Sequence, residues 1–204
     1  MKIIKFEQSG FIFETDKGFR LAVDIGSHTP VEKLENIKVD AMLVSHIHGD
    51  HFSLEQIKKL SPKKLYINHE CHESIGQEKL LSEIIEIKGD NQIKIEDVSI
   101  SVFDVDHGPN VSLKENLGFL ITVDDKKIYF PGDMFYPSGI DVAKLEVDYA
   151  LLPVGTFYTF GPEEAFAFAK TFKKIGKVII MHERGVIDRK NQFLKLAEGI
   201  FSVE

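Results

Sequence analysis

Four side chains able to hold a metal ion fall within six residues of this chain: His46, His48, Asp50 and His51, in Ser45-His46-Ile47-His48-Gly49-Asp50-His51. Imidazoles with a carboxylate suit Zn²⁺ and the neighbouring first-row ions. Alternate residues of an extended chain face the same way, so His46 and His48 project together. Gly49 is expected to let the chain turn sharply and bring Asp50 and His51 round to the same side. Four such groups exceed what one catalytic ion takes from a single loop, which points to two ions. The bland alternative is a histidine-rich surface turn, and the full spacing speaks against it. His69, Cys71 and His72 offer another cluster. Three ligands in four consecutive residues have poor geometry for one ion, so they are read as ordinary helix or surface residues. His28, in the loop after Asp24, is likewise read as a surface histidine.

The elements that must position this loop can be laid out from apolar spacing. Ile3–Phe6, Phe11–Thr15 and Phe19–Ile25 are short β-prone runs, the last two joined by an Asp16-Lys17-Gly18 turn. Ala41–Ser45 reads as a buried strand that delivers the histidines. Ser53–Leu60 has a cap residue and helical spacing, and stops before Pro62. Further strands are expected at Leu65–Asn68, Ile84–Ile87, Gln92–Ile95, Ser99–Val105, Leu117–Val123 and Lys127–Phe130, with Asp124-Asp125 as a hairpin turn. Tyr149–Val154 and Lys177–Met181 read as later strands. Helices are expected around Glu73–Ser82, from Gly161-Pro162-Glu163-Glu164 onward, and over Asn191–Ile200. Strands with interspersed helices predict layered packing of sheets and helices.

Composition bounds the rest. The 204 residues are 43% hydrophobic and 28% charged, ordinary for a globular domain, and no linker or repeat divides them. A formal net charge of −7 does not favour phosphate backbones or anionic membrane surfaces. The single cysteine, Cys71, excludes an internal disulfide and suggests a reducing compartment. The opening residues lack the apolar run and small-residue cleavage site of a leader, and no stretch approaches the roughly 20 apolar residues of a membrane span. Location in the cytoplasm is the expectation.

The motif His46-x-His48-x-Asp50-His51 resembles the signature of the metallo-β-lactamase superfamily, whose fold is an α+β, four-layer αββα sandwich of two like halves. That family needs three further ligands at the ends of later strands. His107 after Ser99–Val105, Asp133 in Phe130-Pro131-Gly132-Asp133, and His182 after Val178–Met181 stand in the right order. Leu21-Ala22-Val23-Asp24-Ile25-Gly26 is similar to the family's early strand and acidic turn. Leu151–Gly155 followed by Phe160–Ala165 is similar to its short metal-dependent hydrolases, a subgroup that includes L-ascorbate-6-phosphate lactonase-like proteins. The resemblance covers nearly the whole chain, read as one domain over residues 1–204.

What the resemblance implies is a dinuclear hydrolase. His46, His48 and His107 would hold one divalent ion and Asp50, His51 and His182 the other, with Asp133 bridging. Asp50 and Asp133 would count as catalytic as well as ligating. The ions, zinc by expectation with Mn, Fe or Ni as alternatives, would activate a bridging hydroxide against a small ester, lactone or phosphodiester. Asp24 is the candidate to orient a ligand histidine from behind. Phe157, Tyr158 and Phe160 form an aromatic cluster that either lines a pocket or fills the core, with Tyr158 and Thr159 its polar members. A small-molecule substrate is the expected partner, with an anionic one among the options. Nucleic acid and membranes are not expected as partners, and self-assembly is left open. The alternatives are a nuclease acting on RNA or DNA and a non-hydrolytic di-iron redox or metal-binding protein.

Overall fold

The apolar periodicities resolve into two six-stranded sheets laid face to face. The computed structural model describes residues 1–155, 157–183 and 187–204. The first sheet runs in chain order: β1 (Lys2–Lys5), β2 (Phe11–Glu14), β3 (Arg20–Val23), β4 (Ala41–Leu43), β5 (Lys64–Ile67) and β6 (Glu83–Glu86). The second comprises β7 (Gln92–Ile95), β8 (Val98–Asp104), β9 (Leu117–Val123), β10 (Lys126–Phe130), β11 (Glu146–Pro153) and β12 (Lys174–Met181), also neighbours in chain order. Each sheet opens with antiparallel hairpins and continues with parallel strands. Helices α1 (Leu54–Leu60) and α2 (His69–Ile75) cover the first sheet, and α3 (Pro162–Ala169) and α4 (Ile187–Ala197) the second. This is the αββα sandwich that the family resemblance implied.

Alternation along the strands decides which layer each residue enters. Phe11, Phe13, Leu21 and Val23 face inward against Phe119, Ile121, Ile128 and Phe130 of the opposite sheet. Their odd-man neighbours, Ile12 and Ala22, face outward to meet Ile57, Leu60 and Cys71 under α1 and α2. Phe11 and Phe130 meet edge to face across the two sheets, ring centroids 6.2 Å apart at 81°. On the far side, Tyr129 and Ala150 pack against Phe168 and Phe193 from α3 and α4.

Turn chemistry matches the sequence expectation at the 124–125 hairpin, where Asp124 (φ 47°) and Asp125 (φ 61°) both take left-handed conformations, as a two-residue hairpin turn demands. The second helix differs from expectation: it occupies His69–Ile75 rather than Glu73–Ser82. Asn68 starts it early by accepting a 2.8 Å hydrogen bond from the Cys71 amide, and Gly76, at φ 58°, stops it. β11, β12 and α4 likewise begin three or more residues ahead of the expected starts. Short propensity runs underestimate elements whose ends are held by pairing with a neighbour, as Glu146 is with Lys174.

Candidate metal centre

The candidate ligands sit in the segments just past the carboxyl ends of four strands, three with parallel partners (β4, β10, β12) and one, β8, with antiparallel neighbours only. β4 leads to Ser45 and His46, β8 to His107, β10 to Asp133 and β12 to His182. The two sheets are tied together there by the Leu117 amide, which donates to the Ser45 carbonyl at 3.0 Å. A turn in which His51 and Phe52 amides both donate to the His48 carbonyl, at 2.9 and 2.8 Å, brings Asp50 and His51 back to the edge.

Gly49 does not carry that turn as expected. Its backbone lies outside the left-handed region, and a side chain there would meet only Ser27 Oγ at 3.6 Å. The glycine that the loop requires is Gly26, in the acidic turn after β3. A Cβ on Gly26 would fall 2.1 Å from the Asp50 carbonyl carbon and 2.4 Å from the His51 nitrogen. The sequence motif therefore depends on a glycine far from it in the chain.

Asp133 is the hub of the cluster. Its Oδ1 lies 3.2 Å from His51 Nε2; its Oδ2 lies 3.0 Å from His182 Nε2, 3.4 Å from His107 Nε2 and 3.9 Å from His46 Nε2. Asp50 Oδ2 stands 3.3 Å from His182 Nε2, and His46 Nε2 stands 3.0 Å from His48 Nδ1. Two of the groups able to grasp an ion are His46, His48, His107 and Asp133, and Asp50, His51 and His182; Asp24, His46 and His51 form a third. The first two contain the sets that the resemblance implied, and all seven residues are brought together. The donor set also fits a metal in a second respect. Both ring nitrogens of His107 and Asp133 Oδ1 are buried yet make no hydrogen bond among the described residues. Buried polar atoms are rarely left so.

Electrostatics in the metal-free cluster follow from this crowding. Burial disfavours charge on Asp133, but the His182 and His51 imidazolium groups beside it hold its carboxyl well below the usual range. The same pairing overrides burial at His51, which is raised by Asp133 and Asp24, and at His182, which Asp133 and Asp50 push up to about 9. Burial, with His51 nearby, keeps His46 in its neutral form.

Asp24 stands where a residue orienting His51 from behind would stand. Fully buried at φ 48°, it lies 2.7 Å from His51 Nδ1 and accepts hydrogen bonds from the Ser45 amide at 2.7 Å and Ser45 Oγ at 2.5 Å. His182 is itself held at φ 61°, a conformation uncommon for a side chain of its type, by donation of its amide to the Gln8 carbonyl at 3.1 Å. Gln8 and Ser9 were not found from the sequence. Gln8 Nε2 donates to Asp50 Oδ2 at 3.1 Å, and Ser9 Oγ lies 3.2 Å from His51 Nδ1. Asn116, which donates to the Asp133 carbonyl at 2.7 Å, is a third such support. A Gln-Ser-Gly turn between two short strands gives no sign of such roles, since they arise only when the first hairpin folds against the ligand loops.

The remaining candidates separate from the centre. Cys71 points into the core, where burial pushes its thiol above the ordinary range, while His69 and His72 face outward and pair with Glu86. His28 belongs to neither ligand group. Phe160 is core, Thr159 is buried with its Oγ1 accepting from the Gly155 amide at 3.1 Å, and Phe157 and Tyr158 are 66% and 49% exposed.

An αββα sandwich with a His/Asp cluster at the carboxyl edge of both sheets defines the metallo-β-lactamase class of protein. The comparisons agree. The family model for the beta-lactamase superfamily domain matches residues 2–182. The UPF0173 metal-dependent hydrolase YtkL of Bacillus subtilis is 30% identical over 162 residues, covering 74% of this chain and 70% of that protein. A UPF0173 metal-dependent hydrolase of Pelotomaculum thermopropionicum is 29% identical over 194 residues, covering 89% and 84%. Among solved structures, Igni18, a metallo hydrolase from Ignicoccus hospitalis, superposes with a TM-score of 0.79 at 23% identity over 99% of this chain and 93% of its own. The chain belongs to the metallo-β-lactamase superfamily and to its metal-dependent hydrolases. Among the described residues, no helix is long and apolar enough to cross a membrane.

Proposed function

We propose that the chain is a dinuclear hydrolase that cleaves a small ester, lactone or phosphodiester. The observation carrying this reading is the placement of Asp133, whose Oδ2 lies 3.4 Å from His107 of one ligand group and 3.0 Å from His182 of the other, while its Oδ1 lies 3.2 Å from His51. His46, His48 and His107 would hold one ion, Asp50, His51 and His182 the other, and Asp133 would be shared. Bound there, two divalent ions would supply Lewis acidity and lower the pKa of a bound water toward about 7.

The chain's own residues prepare that site in definite ways. Asp24 fixes the His51 ring by accepting a hydrogen bond from its Nδ1–H, which leaves Nε2 facing the cluster. Gln8 Nε2 holds Asp50 Oδ2, and so limits the swing of the most exposed carboxylate of the site. Asn116 anchors the turn that carries Asp133. The buried walls at Ser45, His46 and His51 keep bulk water from the back of the cluster, which strengthens every charge interaction within it. Zinc is the favoured occupant by donor chemistry, and a small molecule the favoured partner.

Metal analysis followed by a substrate screen tests the proposal. The loaded protein is expected to hold two ions per chain and to hydrolyse members of a panel of lactones, esters, thioesters and phosphodiesters. His51→Ala and Asp133→Ala are expected to lose one ion and most turnover. A single ion per chain, or stoichiometric iron with oxygen chemistry and no hydrolysis, would overturn it.

A further inference from the structure

A groove of about 1010 Å³ lies between the loop after Asp133 and helix α3; none of the seven candidate ligands lines it, but Phe135 and Thr159 of its lining adjoin the segments that carry them. Small-molecule sites span roughly 300–1,000 Å³, so this groove is at the generous end of that range. One wall is the 135–143 loop, with Tyr136, Ile140 and Val142; the other is α3, with Pro162, Ala167 and Phe168. Both walls are rooted at the ligands. Phe135 follows Asp133 by two residues, and its ring packs so closely on Gly108, next to His107, that a Cβ there would lie 2.6 Å from it. Thr159 lines the groove and touches the backbone of Gly155, where a Cβ would meet Thr159 Oγ1 at 2.5 Å and His182 Nδ1 at 2.9 Å. The Phe160 amide joins the walls by donating to the Met134 carbonyl at 2.8 Å.

The charges on the lining point one way. Asp141, Glu163 and Glu164 are its acidic residues, and no Lys, Arg or His lines it among the described residues. Glu163 and Glu164 stand in the first turn of α3, so the positive end of that helix is already complemented by acids. An anionic group entering the groove would lose hydration and meet three carboxylates with no cation among the described lining residues to offset them. Its apolar walls and acidic rim suit a neutral hydrocarbon or aromatic group instead.

From this continuity we infer that the groove seats the uncharged, apolar part of the substrate, an aryl or medium-length alkyl group, while the ligand cluster receives its scissile carbonyl. This deepens the hydrolase reading and rests on it: within the proposed substrates, neutral apolar esters and lactones are selected over anionic phosphodiesters.

The test has two arms. Metal-free protein is titrated with the neutral fluorophore N-phenyl-1-naphthylamine and with its anionic relative 8-anilinonaphthalene-1-sulfonate. The neutral dye is expected to bind saturably and at least tenfold more tightly than the anion. Ala167→Trp on the exposed face of α3, or Ala143→Trp on the opposite wall, is expected to weaken it at least tenfold. Leu81→Ser, at an exposed site remote from the groove, is expected to leave binding unchanged. In the second arm, kcat/KM of the metal-loaded protein is expected to rise with acyl chain length across neutral esters, and Ala167→Trp to flatten that rise. Undiminished dye binding in both tryptophan variants, equal affinity for the anion, or rates indifferent to chain length would overturn the inference. So would a concentration-dependent dimer that the tryptophan variants dissociate, which would assign the groove to a second copy. Dye binding as expected with no ester or lactone hydrolysed would instead overturn the hydrolase reading beneath it.

Discussion

Asp24→Asn isolates the part played by a residue that touches no substrate. The substitution keeps size and shape, and asparagine tolerates the φ of 48° at this position. One side-chain oxygen can still accept from the Ser45 amide, now 2.7 Å from Oδ1. The other position becomes an NH₂ group facing His51 Nδ1, at the 2.7 Å now spanned by the carboxylate. If Nε2 of His51 ligates a metal, Nδ1 must carry the proton, and two donors then confront each other in a fully buried place. A buried donor without its acceptor costs about 1–3 kcal/mol. At 1.4 kcal/mol per tenfold, this corresponds to about a 5- to 150-fold loss of affinity at the site that uses His51. Loss of a residue orienting a ligand typically costs a similar 10- to 100-fold. The assay is competition with a fluorescent chelator, resolving the two binding steps in wild type and variant. One step is expected to weaken and the other to hold. Affinities within twofold of wild type at both steps would refute the role assigned to Asp24.

Other consequences can be checked with the same protein. His51 and His182 are protonated in the metal-free cluster at pH 7, since the folded pKa of each is raised, that of His182 to about 9. Loading should therefore release about two protons from these imidazoles, read by calorimetry in buffers of differing ionisation enthalpy, and release of none would refute the pairing. By the same sign, apparent metal affinity should climb as pH rises through about 9, where His182 loses its proton unaided, and further for as long as His51 keeps its own. Gly26→Ala should force the Asp50–His51 peptide away from a Cβ that would lie 2.1 Å from it. It is expected to lower stability by about 1–3 kcal/mol in thermal unfolding and to weaken metal retention, whereas Gly49→Ala should do neither strongly. Phe130→Ala empties the centre of the inter-sheet core, where the ring is fully buried. It should cost about 3–5 kcal/mol, measured by denaturant unfolding.

Much of this protein is written locally. The four ligands at 46–51 are legible because one loop holds them all, so no tertiary contact is needed to suspect a metal. The strands were legible because alternation along a strand is a local record of which face is buried, and the Asp124-Asp125 turn because two residues suffice to make it. His107, Asp133 and His182 were a different matter. Singly, each is an unremarkable residue after a strand, and only the ordered resemblance to a family marked them. What put them in reach of one another is strand direction: β8 and β10 run alike because both pair antiparallel with β9, and β10, β11 and β12 pair in parallel, so the carboxyl ends of β8, β10 and β12 fall on one edge. The tertiary structure alone decided the supports: Gln8, Ser9 and Asn116 act through contacts across the sandwich, and Gly26 rather than Gly49 is the glycine under steric constraint. It alone also decided the groove, because a cavity is the space between segments such as 135–143 and 162–171 that never meet in the chain. Ligand identity follows from side-chain chemistry, which a sequence records outright. Distances and cavities follow from packing among distant segments, which no local pattern contains.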